Sequence, residues 1–176
     1  MINKEKIALI ACHPFFKTKS INSKNIFIRL NKKNINDFLF LENEYNNKKN
    51  IFQIHNTIKV LNENNHIIFL FPIWWFNVPW TMKLWMDEIL SIYCPDKRKY
   101  ENKKFTFIVT CDRKKIIYTE NNVGTIEKIL WPIISVFEYY MGWKYNKTYA
   151  LFEANKAKEN EWNTFTKIIN QELLND

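Results

Sequence analysis

Glycine is almost missing from this chain: of 176 residues only Gly124 and Gly142 lack a side chain. A loop that brings its backbone close to a ligand must therefore do so with residues that avoid positive φ. Cysteine is equally sparse. Cys12, Cys94 and Cys111 form an odd set with no CxxC pair, which excludes a disulfide framework and a zinc site and fits a reducing, cytoplasmic setting. Nor is there a run of five or six like charges. The 26 Lys and Arg residues are balanced by 18 Asp and Glu for a net charge of +8, with no reading module or dense basic stripe, so no nucleic-acid partner is expected. Long apolar runs are absent too. The most apolar stretch, Ile67 to Phe76, contains Pro72 and is about half a membrane span; Ile7 to Cys12 is too short for a signal-peptide core. No membrane insertion is expected.

What remains is a folding composition: 47% apolar and 16% aromatic residues, long enough for one sizeable core and too short for two catalytic domains. A single domain spanning 1–176 is the simplest division. Lys6 to Cys12 is apolar without alternation, the mark of a central parallel strand covered on both faces. Ile21 to Leu30 reads as a helix with Ser20 as its N-cap, Asn34 to Glu42 as an edge strand, Ile51 to Asn62 as a helix, and His66 to Phe71 as a third strand. From Pro79, the apolar positions Met82, Trp85, Met86, Ile89, Leu90 and Tyr93 follow helical spacing. Phe105 to Thr110 reads as a fourth strand, Ile126 to Met141 as a helix, Lys147 to Phe152 as a fifth strand and Lys156 to Leu174 as a last helix.

Strand and helix alternate throughout, which predicts an α/β fold: a doubly wound five-stranded parallel sheet of order 2-1-3-4-5 with helices on both faces. Ligands of such sheets bind outside the carboxyl ends of the strands. Three loops should meet there: 12–22, 72–80 and 110–118. The first ends at a helix start, where free N–H groups and the helix dipole favour a phosphate. The second crowds Trp74, Trp75, Phe76 and Trp80 between a strand and a helix. Such a cluster is costly in water unless it covers a planar ligand or another subunit, with a purely structural plug as the plain alternative. The other singled-out groups have plain structural readings: His55 on a solvated helix, His66 at a strand start, Cys94 in a connection, Cys12 and Cys111 ending neighbouring strands, and Lys83 with Asp87 as a surface pair.

The run Phe71 to Leu90, an apolar-Pro-x-Trp loop followed by Pro and a Lys-x-Trp-apolar-Asp helix, resembles the signature of flavodoxin-like NAD(P)H:quinone reductases of the DT-diaphorase, potassium-efflux ancillary reductase and modulator-of-drug-activity B kind. His13-Pro14 and Ser20-Ile21-Asn22 match the family's first flavin loop in order, and Gly142-Trp143 resembles its Gly-Met turn. The resemblance implies that His13, Ser20, Ile21 and Asn22 approach the phosphate and ribityl chain of FMN or FAD, and that Pro72, Ile73, Trp74, Trp75 and Phe76 line the ring. It also implies NAD(P)H as hydride donor, a quinone or related small electrophile as acceptor in the same cleft, a ping-pong order and a homodimer.

The third loop departs from the family. Thr110, Cys111, Asp112 and Arg113 stand where Thr-Thr-Gly-Gly is expected, so the first three are carried over as cofactor contacts without the glycines. Tyr118 falls at the spacing of the family's catalytic Tyr, but the companion His is missing, since no histidine follows His66. Asn77 is the residue suited to a left-handed turn in the second loop. Two other readings share the fold: a regulatory subunit that docks on a membrane transporter, favoured by the altered third loop, and a flavodoxin electron carrier, disfavoured by the basic balance.

Overall fold

The computed structural model describes residues 5–46, 51–52, 54–90 and 101–174; Tyr93 and Cys94 lie outside the described residues. Five parallel strands, β1 (Ile7–Ala11), β2 (Asp37–Phe40), β3 (His66–Pro72), β4 (Lys104–Thr110) and β5 (Lys144–Leu151), form one sheet in the order β2-β1-β3-β4-β5. All four pairings are parallel, with Ile7 opposite His66 and His66 opposite Lys104. This is the expected order 2-1-3-4-5.

The strands lack alternation because each face of the sheet meets helices. Ala8, Ile10, Ile67, Phe69, Phe105 and Phe107 point to one core, with α2 (Ile54–Glu63), α3 (Trp80–Trp85, continued by Met86–Leu90) and α4 (Ile126–Met141) packed against them. Ile7, Leu9, Ile68, Leu70 and Ile108 point the other way, under α1 (Asn22–Arg29) and α5 (Glu159–Leu173). Phe69 stacks on Phe137 at 5.3 Å between ring centroids, and Phe105 meets Phe137 edge-on at 5.2 Å. Each such fully buried ring contributes about 1.5–3 kcal/mol by leaving water. The edge strand β5 exposes Lys144 and Lys147, charges that discourage pairing with another sheet.

The helical stripe of α3 is buried as the spacing predicts, at Met82, Trp85, Met86, Ile89 and Leu90. Gly142 ends α4 in the left-handed conformation at φ 64, where a Cβ would also come within 2.9 Å of the Glu101 side chain. Several boundaries differ from the sequence reading. The edge strand is only Asp37–Phe40, because Leu41–Glu44 winds into one helical turn. Ile51–Phe52 pairs antiparallel with Tyr45–Asn46, so α2 begins at Ile54. β5 starts at Lys144, earlier than expected, and α5 is trimmed to Glu159–Leu173.

Candidate functional site

Backbone pairing runs past the strand ends and fixes the loops that follow. The Cys12 N–H donates to Leu70 O, Ile73 N–H to Thr110 O, Cys111 N–H to Leu151 O and Ala154 N–H to Cys111 O, all at 2.8–2.9 Å. The loops after β1, β3, β4 and β5 are thereby laced to one another at the carboxyl edge of the sheet. Two adjoining cavities open there. One, about 260 Å³, lies beside the start of α1 and is lined by His13, Lys19, Ser20, Ile21, Asn22 and Ser23 with Pro72, Trp74, Thr110 and Asn155. The other, about 340 Å³, is bounded by Asn22, Pro72, Ile73, Trp74, Thr110, Cys111 and Asp112.

The polar cavity is preorganised without glycine. Phe15 O accepts the N–H groups of Lys19 and Ser20 at 2.9 and 3.0 Å. Phe16 is buried against Phe27 and Phe40, and Glu42 accepts the Lys17 N–H at 2.8 Å. Thr81 anchors the loop at its root by donating to Cys12 O at 3.0 Å. His13 accepts the Phe15 N–H on Nδ1 at 3.0 Å, so the proton of the neutral ring falls on Nε2 as a donor. Burial lowers the His13 pKa, with Glu42 pulling the other way. Its ring stands edge-on to Trp74 at 5.3 Å.

Ser20 does not cap α1. The helix starts at Asn22, the N-cap position is Ile21, and no side chain caps it. The buried hydroxyls of Ser20 and Ser23 have no hydrogen-bond partner. Two orphaned hydroxyls beside the free N–H groups of a helix start form a donor set that suits an anion.

Trp74 and Asn77 exchange two backbone hydrogen bonds of 3.0 Å, closing a two-residue hairpin. Its tip residues, Trp75 and Phe76, adopt φ 49 and 58, the pattern of a type I′ turn that asparagine and glycine favour. Asn77, the residue suited to left-handed geometry, is instead the closing partner, where its side chain accepts the Val78 N–H at 2.8 Å. The hairpin divides the aromatic cluster. Trp74 faces the two cavities. Trp75, 96% exposed, turns to an apolar groove of about 540 Å³ that Trp74 also borders, with Trp80, Ile129, Pro132 and Ile133. Phe76 packs on Tyr118 at 5.9 Å.

Thr110, Cys111 and Asp112 reach the second cavity, but Tyr118 does not line it. Burial, and then the neighbouring Cys111 thiol, raise the tyrosine pKa. Burial also pushes the Cys111 thiol up to about 12, so it stays protonated and a poor nucleophile. Cys12 and Cys111 do not end neighbouring strands, because β3 lies between β1 and β4. Lys83 and Asp87 do pair on the surface of α3. His66 is buried and bonds Thr106 Oγ1 at 2.7 Å in the core. Lys19, Ser23 and Asn155 line the site without having been singled out. Ser23 and Lys19 flank the recognised triplet, whereas Asn155 follows β5 in a segment with no motif.

The model of the flavodoxin-like fold family matches residues 5–170. The chain belongs to that family. Rat NAD(P)H dehydrogenase [quinone] 1 is 31% identical to this flavodoxin-like chain over 96 residues, 49% of the chain and 34% of the rat protein. The match to the mammalian quinone dehydrogenases thus covers only a third to a half of their length. The solved NADPH-quinone reductase of P. pentosaceus superposes with a TM-score of 0.79 at 18% identity, over 97% of this chain and 99% of that one. General stress protein 14 of Treponema denticola, solved in complex with FMN, superposes with 0.77 at 20% identity, covering 93% and 94%. Among the described residues, no helix is long and apolar enough to cross a membrane.

Proposed function

We propose that this chain is a flavin-dependent NAD(P)H:quinone oxidoreductase that binds FMN across the two cavities, with the phosphate at the start of α1. The observation that carries the reading is the pair of buried, unpartnered hydroxyls on Ser20 and Ser23 in the cavity at that helix start. The donor set fits the group: Ser20, Ser23 and His13 Nε2 supply hydrogen bonds, and the dipole of α1 and Lys19 supply positive potential. Pro72, Ile73 and Trp74 form an apolar wall for a planar ring, opposite Thr110, Cys111 and Asp112. Binding of FMN by the T. denticola neighbour supports FMN over FAD.

The bound flavin would supply the two-electron relay between a nicotinamide and a quinone. The chain's own contribution is to orient it and keep competing groups inert. The protonated Cys111 thiol does not add to an electrophile. Tyr118 packs on Phe76 and Phe152 outside the cavity and supports its wall rather than acting on substrate. Donor and acceptor share one cleft in turn, which gives the ping-pong order. The exposed groove of Trp75, Trp80 and Pro132, together with Trp131, Tyr139 and Tyr140 on α4, is a face for a second copy, and a homodimer in the cytoplasm is the working form. Anaerobic mixing of the FMN-loaded protein with NAD(P)H tests this directly: the visible flavin band should bleach, then return when a quinone is added. A band that NAD(P)H leaves unchanged would overturn the reading.

A further inference from the structure

We propose that the cleft between the loops after β4 and β5 is a phosphate subsite for the reductant, making NADPH the preferred hydride donor over NADH. The inference deepens the oxidoreductase reading and rests on it. The cleft, about 270 Å³, is lined by Arg113, Lys114 and Lys156 together with Asn155, Asp112 and Glu153. Its walls are fixed by backbone bonds: Glu153 N–H donates to Arg113 O at 3.2 Å, Ala154 N–H to Cys111 O at 2.9 Å, and Lys156 N–H to Glu153 O at 2.8 Å. Glu153 sits at φ 49, a conformation that costs a residue with a side chain and that the surrounding loop must enforce.

Charge and position select the ligand. Glu153 is tied to Lys156 at 3.3 Å. That leaves Asp112 against Arg113 and Lys114, with Lys115 next in the chain. A phosphate monoester carries about −1.5 to −2 at neutral pH, and an arginine fork binds it through two parallel hydrogen bonds. The flavin phosphate already has its donors at the start of α1, so these cations are in excess of that need. Asp112 belongs both to this cleft and to the cavity walled by Pro72, Ile73 and Trp74; Asn155 belongs both to this cleft and to the cavity at α1. A nicotinamide entering the cavity of Trp74 must lead the rest of its dinucleotide across the loops that bound it. The loops after β4 and β5 are the ones that carry these cations, and the 2′-phosphate is the group that distinguishes NADPH from NADH.

Calorimetric titration of the FMN-loaded protein with adenosine 2′,5′-bisphosphate and with 5′-AMP tests the subsite apart from catalysis. The bisphosphate should bind about tenfold tighter, and that margin should vanish in the Arg113→Ala, Lys114→Ala double variant and shrink with added salt. Steady-state kcat/KM should favour NADPH by a similar factor in the parent and not in the variant. Equal binding of the two nucleotides, or a margin the double variant retains, would overturn the proposal. So would a bisphosphate that FAD displaces and FMN does not, because the cleft would then serve the adenosine of the flavin. Bisphosphate preference in a protein that takes up no flavin would uphold the subsite and remove the oxidoreductase reading, so the two failures are told apart.

Discussion

Replacing the most exposed tryptophan should make this protein more stable. Trp75 sits at φ 49 at the tip of the Trp74–Asn77 hairpin, and left-handed geometry costs a residue with a Cβ roughly 1–2 kcal/mol. The usual compensation for a large aromatic is burial, and here there is almost none, since 96% of Trp75 faces solvent. Trp75→Asn keeps the backbone, relieves much of the strain and loses little buried area. The expected gain is about 1 kcal/mol, or about 2–4 °C in Tm for a domain of this size. Phe76→Asn should not reproduce it, because Phe76 is only 38% exposed and packs on Tyr118. Urea unfolding of dilute protein, where association does not contribute, reads the difference. In sedimentation at higher concentration the same Trp75→Asn variant should self-associate more weakly, as a strained residue kept for a function would require. A variant no more stable than the parent would refute the strain at the tip.

Ser20→Ala should act in opposite directions on stability and binding. Removing the orphaned hydroxyl should leave stability unchanged or raise it by about 1 kcal/mol, while FMN affinity falls about 5- to 10-fold; urea unfolding and fluorescence titration read the two, and a clear loss of stability would contradict the account. Glu42→Ala should free the Lys17 N–H that Glu42 holds, seen as faster amide exchange, and weaken FMN binding about fivefold. Glu42→Gln keeps an acceptor and removes a negative charge near His13, so it should restore or improve binding. Burial lowers the pKa of both His13 and His66, so the folded state binds fewer protons than the unfolded state, whose imidazoles titrate near 6.5. The stability this gives is complete above about pH 6.5 and is lost as pH falls through that value towards the folded pKa values; urea midpoints across that range check the sign, and midpoints that rise on acidification would refute it.

The sheet was legible in the chain because its central strands are buried on both faces. Ile7–Ala11 and Ile67–Phe71 show unbroken apolar runs, and the stripe Met82, Trp85, Met86, Ile89 fixed the burial of α3. The positions of Ser20, Asn22, Pro72, Ile73, Trp74, Thr110, Cys111 and Asp112 at one pair of cavities followed from strand order and a recognised motif. The rest depends on tertiary context. Propensity points to Asn77 for left-handed geometry, and no local rule chooses two bulky aromatics instead. Tyr118 has the right spacing for a site residue, yet it packs on Phe76 and Phe152 and does not line the cavity. Ser20 has the residue type of a cap, but the chain enters α1 one residue too late for it to serve. Asn155 and Lys156 follow the edge strand β5 in an exposed stretch without periodicity, and only the lacing of Ala154 to Cys111 brings them to the site.

In the proposed flavoprotein, the two cavities at the carboxyl edge of the sheet hold one FMN with no glycine among their lining residues. Equilibrium titration of flavin-free protein with FMN, followed by quenching of flavin fluorescence, measures this directly. Uptake should saturate at one FMN per chain, weakened by Ser20→Ala and unaffected by the exposed, remote substitution Lys33→Ala. Fluorescence that falls linearly without saturation, or uptake that Ser20→Ala leaves untouched, would contradict it.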